Sequence, residues 1–149
     1  MGIDKSLLGF AEVFAYTVQR TFIGVVMSPS AKSILIVDDD EAHLLWSTEI
    51  LTQSGYRIDS ALSAEKALEM LSSRSYDLII SDLVMPGMSG MEFVRMIGKV
   101  RQGQKAVIMT GHGDISTFIE SIHGLGALEY VTKPIKTRDF INMVNKLTA

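Results

Sequence analysis

From Ser33 onward, short apolar runs alternate with longer stretches of helical periodicity. The runs are Ile34 to Val37, Tyr56 to Ser60, Leu78 to Ile80, Ala106 to Met109 and Glu129 to Val131. Most are short, and three are apolar throughout, as parallel strands buried on both faces require. Between and after them, residues 41–54, 63–73, 90–100, 114–124 and 137–147 carry apolar positions at three- and four-residue steps, predicting five helices. Ser63, Asp114 and Thr137 stand where N-caps belong, and Gly55 and Gly124 where helix ends belong. In the last helix, Ile141, Val144 and Leu147, flanked by Phe140, form the predicted buried stripe. Predicted strand ends at residues 37, 60, 81, 109 and 132 leave room for one right-handed strand-helix-strand crossover each. The pattern therefore predicts an α/β fold with helices on both faces of a parallel sheet and a ligand site beyond the carboxyl ends of the strands.

The first 31 residues read differently. Leu7, Phe10, Phe14, Val18, Phe22 and Val25 recur at three- and four-residue steps, predicting an amphipathic helix with a broad apolar face. Met27 to Ser33 then breaks the pattern with small polar residues and Pro29. The expected division is residues 1–31 as N-terminal helix and linker and residues 32–149 as the folded domain. The apolar face is expected to meet a partner or a second copy; an upstream start-site artefact and a membrane-peripheral contact through residues 7–27 are the other readings. Glu12, Gln19 and Arg20 within the stretch argue against spanning a bilayer.

Charge and composition narrow the chemistry. At 149 residues the chain has the length of one domain. It contains no cysteine, so thiol nucleophiles, disulfides and Cys-based zinc sites are excluded, and a cytoplasmic setting is expected. The net charge is −3, with no Lys/Arg run, which speaks against direct nucleic-acid binding.

The predicted strand ends carry a constellation. Asp38, Asp39, Asp40 and Glu41 follow the first strand, Asp82 the third, Thr110 the fourth, and Lys133 with Pro134 the fifth. Two like charges about 4 Å apart repel by roughly 4 kcal/mol at an effective dielectric of 20, so clustered carboxylates call for cations. Lys133 supplies one, and the remaining oxygen-only set suits magnesium, which leaves room for phosphate oxygens. Asp82 ends a buried strand and is the candidate nucleophile for a phosphoryl group.

The sequence here resembles the response-regulator receiver domains of two-component signalling. The resemblance rests on ILIVDDD at residues 34–40, DLIISDLVMPGMSG at 77–90, VIMTG at 107–111 and YVTKP at 130–134, and covers about residues 32–149. It implies a flavodoxin-like, doubly wound five-stranded sheet in the order 2-1-3-4-5. It further implies Asp82 as phosphoacceptor, and Mg2+ held by Asp38, Asp39, Asp82 and the backbone carbonyl of Val84. Thr110 and Lys133 would contact the phosphoryl oxygens, and Tyr130 would act with Thr110 as the switch. The implied partners are a histidine kinase or histidine phosphotransfer protein and an unknown downstream protein. A homodimer would use the N-terminal helix or the face made by residues 114–124, the fifth strand and the last helix. Val84 and His112, two positions after Asp82 and Thr110, occupy variable rim sites that resemble those which tune phosphoryl lifetime in the family.

Each residue also has an ordinary explanation. Acidic runs favour helix N-termini, Thr110 could cap a helix, Lys133 could be solvated and Tyr130 could be a core aromatic. His43 and His123 read as surface helix residues, and Met85, Met88, Met91 and Met96 as packing or adaptable surface. The expectation is a stand-alone response regulator whose own site takes phosphate from a kinase or an acyl phosphate, since the chain ends at Ala149 just after the last predicted helix. A relay intermediate, a phosphorylation-independent adaptor and a small-molecule phosphohydrolase are the alternatives.

Overall fold

The computed structural model describes residues 30–111 and 127–149. The predicted N-terminal helix, its linker to residue 29, the helix over 114–124, His112 and His123 lie outside them. Five strands form one parallel sheet: β1 (Ser33–Val37), β2 (Arg57–Ala61), β3 (Leu78–Asp82), β4 (Ala106–Thr110) and β5 (Ala127–Thr132), in the order β2-β1-β3-β4-β5. The described helices are α1 (Glu41–Gln53), α2 (Ala64–Leu71), α3 (Gly90–Val100) and α4 (Thr137–Thr148). This is the flavodoxin-like arrangement. The order of strand addition reverses at β1, so the loops leaving β1 and β3 diverge and open a crevice at the carboxyl rim.

Alternation along each strand divides the core in two. Leu35, Val37, Ile79 and Ile108 face one side, with Ala64, Ala67 and Leu71 of α2 and Phe93, Val94 and Ile97 of α3. Ile34, Ile36, Leu78, Ile80, Val107 and Met109 face the other, with Leu44 and Leu51 of α1 and Phe140 and Val144 of α4. A continuous apolar strand is stable only when both faces are covered this way. No helix among the described residues is long and apolar enough to cross a membrane.

The element ends and faces follow the sequence, with three corrections. Asp40 caps α1 by accepting from the amides of Ala42 and His43, and Gly55 follows its end at φ 92°. Ser63 caps α2, and Ser89 with Glu92 forms a reciprocal capping box at α3. Thr137, expected as a cap, is instead the first helical residue of α4, after an extended Lys136 that makes no side-chain cap bond. The buried face of α4 is Phe140, Met143, Val144 and Thr148, with Ile141 and Leu147 only half-buried. Phe140, Val144 and Thr148 recur every four residues, so this line, and not the 141–144–147 line, points at the sheet. β2 lies one residue later than expected because Tyr56 turns inward, its hydroxyl 2.6 Å from Asn145 Oδ1 and 3.0 Å from Thr148 Oγ1.

Candidate phosphoryl-acceptor site

β1 delivers Asp38 to the rim, β3 delivers Asp82, β4 delivers Thr110, and the loop after β5 delivers Lys133. Asp38 is buried, and Asp39 beside it is exposed. One carboxylate oxygen from each of Asp38, Asp39 and Asp82 lies within 4.8 Å of the others. The Lys133 ammonium bridges the pocket, donating to Asp38 Oδ2 at 2.8 Å and to Asp82 Oδ2 at 3.3 Å. Its backbone amide donates to the Thr110 carbonyl at 2.8 Å, registering the β5 end against β4. The Lys133–Pro134 peptide bond is cis.

The two inner carboxylates sit in opposite electrostatic settings. Burial raises the Asp38 pKa, but donors from His43, Lys133 and the Asp40 amide outweigh it and bring the group down to about 2. Burial also raises Asp82, and there repulsion from Asp38 adds to it while Lys133 and the Leu83 amide offset it only in part, so Asp82 ends above its ordinary value. Burial lowers Lys133, yet its two carboxylate partners win and hold it above its ordinary value, so it stays charged. Three carboxylates against one ammonium leave the pocket with an excess of about two negative charges at neutral pH. A hard divalent cation fits this donor set: all three donors are oxygens, close enough to share one small ion.

The loop from Leu83 to Ser89 is fixed from both ends. Asp82 Oδ1 accepts from its neighbour's amide, Leu83 N, at 2.7 Å, and the Leu83 carbonyl accepts from Gly90 N at 2.9 Å. Gly90 is required at this approach, since a Cβ there would stand 1.9 Å from the Asp82 carbonyl oxygen. Across the loop, Glu65 of α2 accepts from the Met88 amide at 2.9 Å.

The predicted residues are therefore distributed as follows. Asp38, Asp82 and Lys133 touch, Asp39 completes the acidic group, and Thr110 is fully buried at the end of β4. Val84 stands half exposed, two residues past Asp82. Tyr130 is half-buried against the core on the α2/α3 side, its hydroxyl buried with no partner among the described residues. Burial pushes its phenol up to about 12. Met85 is buried and Met88 and Met91 pack on the core, while Met96 is exposed. His43 corrects the sequence reading. It is not a surface residue: its Nδ1 lies 2.6 Å from Asp38 Oδ2. The signal was its place in the first turn after Asp40, where side chains tilt back toward the helix N-terminus and hence toward the end of β1. Glu65 gave no signal, since the loop it holds lies 23 residues further on.

Known proteins resemble this chain in sequence and in fold. A family model described as the response regulator receiver domain matches residues 34–145. Sporulation initiation phosphotransferase F of Bacillus subtilis is 30% identical over 77% of this chain and 92% of its own length. The two-component response regulator ARR14 of Arabidopsis thaliana is 32% identical over 77% of this chain, which spans only 30% of that relative. Among solved structures, a receiver domain protein from Methanospirillum hungatei superposes with a TM-score of 0.73 at 34% identity, covering 79% of this chain and 94% of the other. The response regulator TrrA of Thermotoga maritima, solved in complex with Mg(2+)-BeF, gives 0.70 at 35% identity over 78% of this chain and 98% of its own. With its fold, its rim of acidic residues and these matches in agreement, the chain belongs to the response regulator receiver domain family, the phosphoacceptor signalling domains of two-component systems.

Proposed function

We propose that this protein is a phosphorylation switch in which Asp82 takes a phosphoryl group from a histidine kinase, a histidine phosphotransfer protein or an acyl phosphate. The observation that carries the reading is the Lys133 ammonium held between Asp38 and Asp82 at the crevice where the strand order reverses. In the transfer, an ionised Asp82 oxygen forms the new O–P bond while the donor's N–P or O–P bond breaks, the leaving group keeping its electron pair. Lys133 reaches toward the phosphoryl oxygens and offsets their charge. Asp38, Asp39, Asp82 and the Val84 carbonyl would hold a magnesium ion. When bound, that ion supplies positive charge to the transferring oxygens. Thr110 at the end of β4 would donate its hydroxyl to the phosphoryl group, and Tyr130, one strand over, would respond by repacking. The altered surface then selects a downstream protein, and this traffic belongs in the cytoplasm.

The test is intact-mass spectrometry after incubation with acetyl phosphate and magnesium, on wild type and Asp82→Ala. One adduct of about 80 Da, dependent on magnesium and absent from the variant, is expected. A folded, magnesium-binding wild type that takes no adduct from acetyl phosphate or from a phosphorylated kinase would refute the reading.

The match to a phosphotransferase over nearly its whole length favours a relay as the second reading. A relay passes the group on to a histidine, so label would leave Asp82 faster with a phosphotransfer protein present than by hydrolysis alone.

A further inference from the structure

We infer that His43 is a positioning residue of the phosphoryl site: it holds Asp38 from α1 and so leaves Lys133 available to Asp82 and to the group Asp82 accepts. The inference deepens the proposed function and rests on it. The geometry behind it is a count of donors on a buried carboxylate. Asp38 Oδ1 accepts from the Asp40 amide at 2.9 Å, and Oδ2 accepts from both His43 Nδ1 at 2.6 Å and Lys133 Nζ at 2.8 Å. A carboxylate has about four acceptor positions, so Oδ2 is filled and only Oδ1 retains one.

Lys133 has one ammonium for two carboxylates, and it sits nearer Asp38 than Asp82. Were it the sole side-chain donor to the buried Asp38, its departure would leave that charge poorly satisfied, which is costly in a low-dielectric pocket. His43 provides the second donor. With it in place, Lys133 can shift toward a phosphoryl oxygen while Asp38 remains bonded to His43 and to the Asp40 amide.

The imidazole is supported for this task. Its ring lies 5.4 Å from the Trp46 ring at 31°, and Trp46 stacks on Phe140 at 5.3 Å and 24°. Phe140 is fully buried in the core between α4 and the sheet. At the backbone, the His43 carbonyl accepts from the buried Ser47 hydroxyl at 2.9 Å. An aromatic column thus runs from the core of α4 to the Asp38 carboxylate and fixes where Nδ1 points.

The experiment compares full-length wild type, His43→Ala and His43→Asn by amide chemical-shift titration. The first probe is Mg2+ alone, and the second is beryllofluoride at saturating Mg2+. The asparagine amide nitrogen can occupy the place of Nδ1 and donate to Asp38, so it separates a hydrogen-bonding role from a packing role. Loss of His43 is expected to weaken beryllofluoride binding at saturating Mg2+ about tenfold, several times more than it weakens Mg2+ binding, and Asn is expected to restore most of the loss. Dispersed amide spectra confirm that the variants are folded. Equal beryllofluoride affinity in His43→Ala and wild type overturns the inference, as do parallel losses for both probes or a folded His43→Asn no better than alanine. A wild type that binds neither probe overturns the proposed function itself, and this inference with it, so the two failures are told apart by the wild-type titration.

Discussion

Asp82 is ionised at a cost to the fold. Burial and the Asp38 charge raise its pKa above the unfolded value, so the folded state favours the protonated form. The penalty is absent below the unfolded pKa and grows as pH rises through the folded one. Asp82→Asn should therefore melt above wild type near neutral pH without added magnesium, and the gap should close as pH falls below about 4. Asp38 has the opposite sign. Its pKa of about 2 means that its ionised form stabilises the fold above the unfolded carboxylate range and that this contribution is lost as pH falls toward 2. Asp38→Asn should cost up to about 2 kcal/mol at neutral pH, an upper bound because the pocket mouth admits water. Denaturant titrations of the two variants at pH 7 and pH 3 check both signs, and a shared sign would refute the assignment. Tyr130 offers a third case: with its hydroxyl buried and unpartnered among the described residues, Tyr130→Phe should match or exceed wild-type stability, by up to about 1 kcal/mol.

At the scale of elements, the segment joining β3 to α3 decides where Asp82 points. Gly90 lets α3 start against the Asp82 carbonyl, and the 1.9 Å approach of any Cβ leaves backbone as the only thing that can move. Gly90→Ala should lose about 3 kcal/mol or more and displace the Asp82 loop, seen as a lowered melting temperature with large amide shifts from Leu83 to Ser89. Glu65 works at the same loop from α2, so in Glu65→Ala the Met88 amide should exchange its hydrogen faster while the strand amides of β3 keep their protection. These elements also show how much the sequence disclosed. Asp38, Asp82, Thr110 and Lys133 were legible because strand ends are marked by the close of an apolar run, and parallel crossovers send every strand end to one rim. His43 and the α4 face were misread for a shared reason: apolar spacing fixes that a helix exists, while its rotation about its axis depends on the packing partner. Phe140 stacks on Trp46 of α1, a contact no local pattern contains, and it turns α4 so that Ile141 and Leu147 lie at the margin. Glu65 was silent because its partner is a backbone amide, which any sequence offers.

Across the whole molecule, two apolar layers stabilise the sheet and the rim works against them. The α1/α4 and α2/α3 clusters bury nearly every residue of β1, β3 and β4, so the strands cannot shift to relieve the carboxylates at their ends. Lys133 answers only part of that charge. A cation that binds the folded pocket and not the unfolded chain must then stabilise the entire domain by mass action, about 2.7 kcal/mol at a hundred times its dissociation constant. Magnesium chloride should raise the melting temperature of wild type well beyond sodium chloride of equal ionic strength, which screens the carboxylates without bridging them. In Asp39→Ala and Asp82→Asn the magnesium-specific part should shrink or vanish, because each removes one of the three clustered oxygens. The same loss should spread through both core layers, since a two-state domain melts as one. If magnesium stabilises wild type and both variants alike, the ion acts elsewhere, and the acidic rim is not the site that the strand order builds.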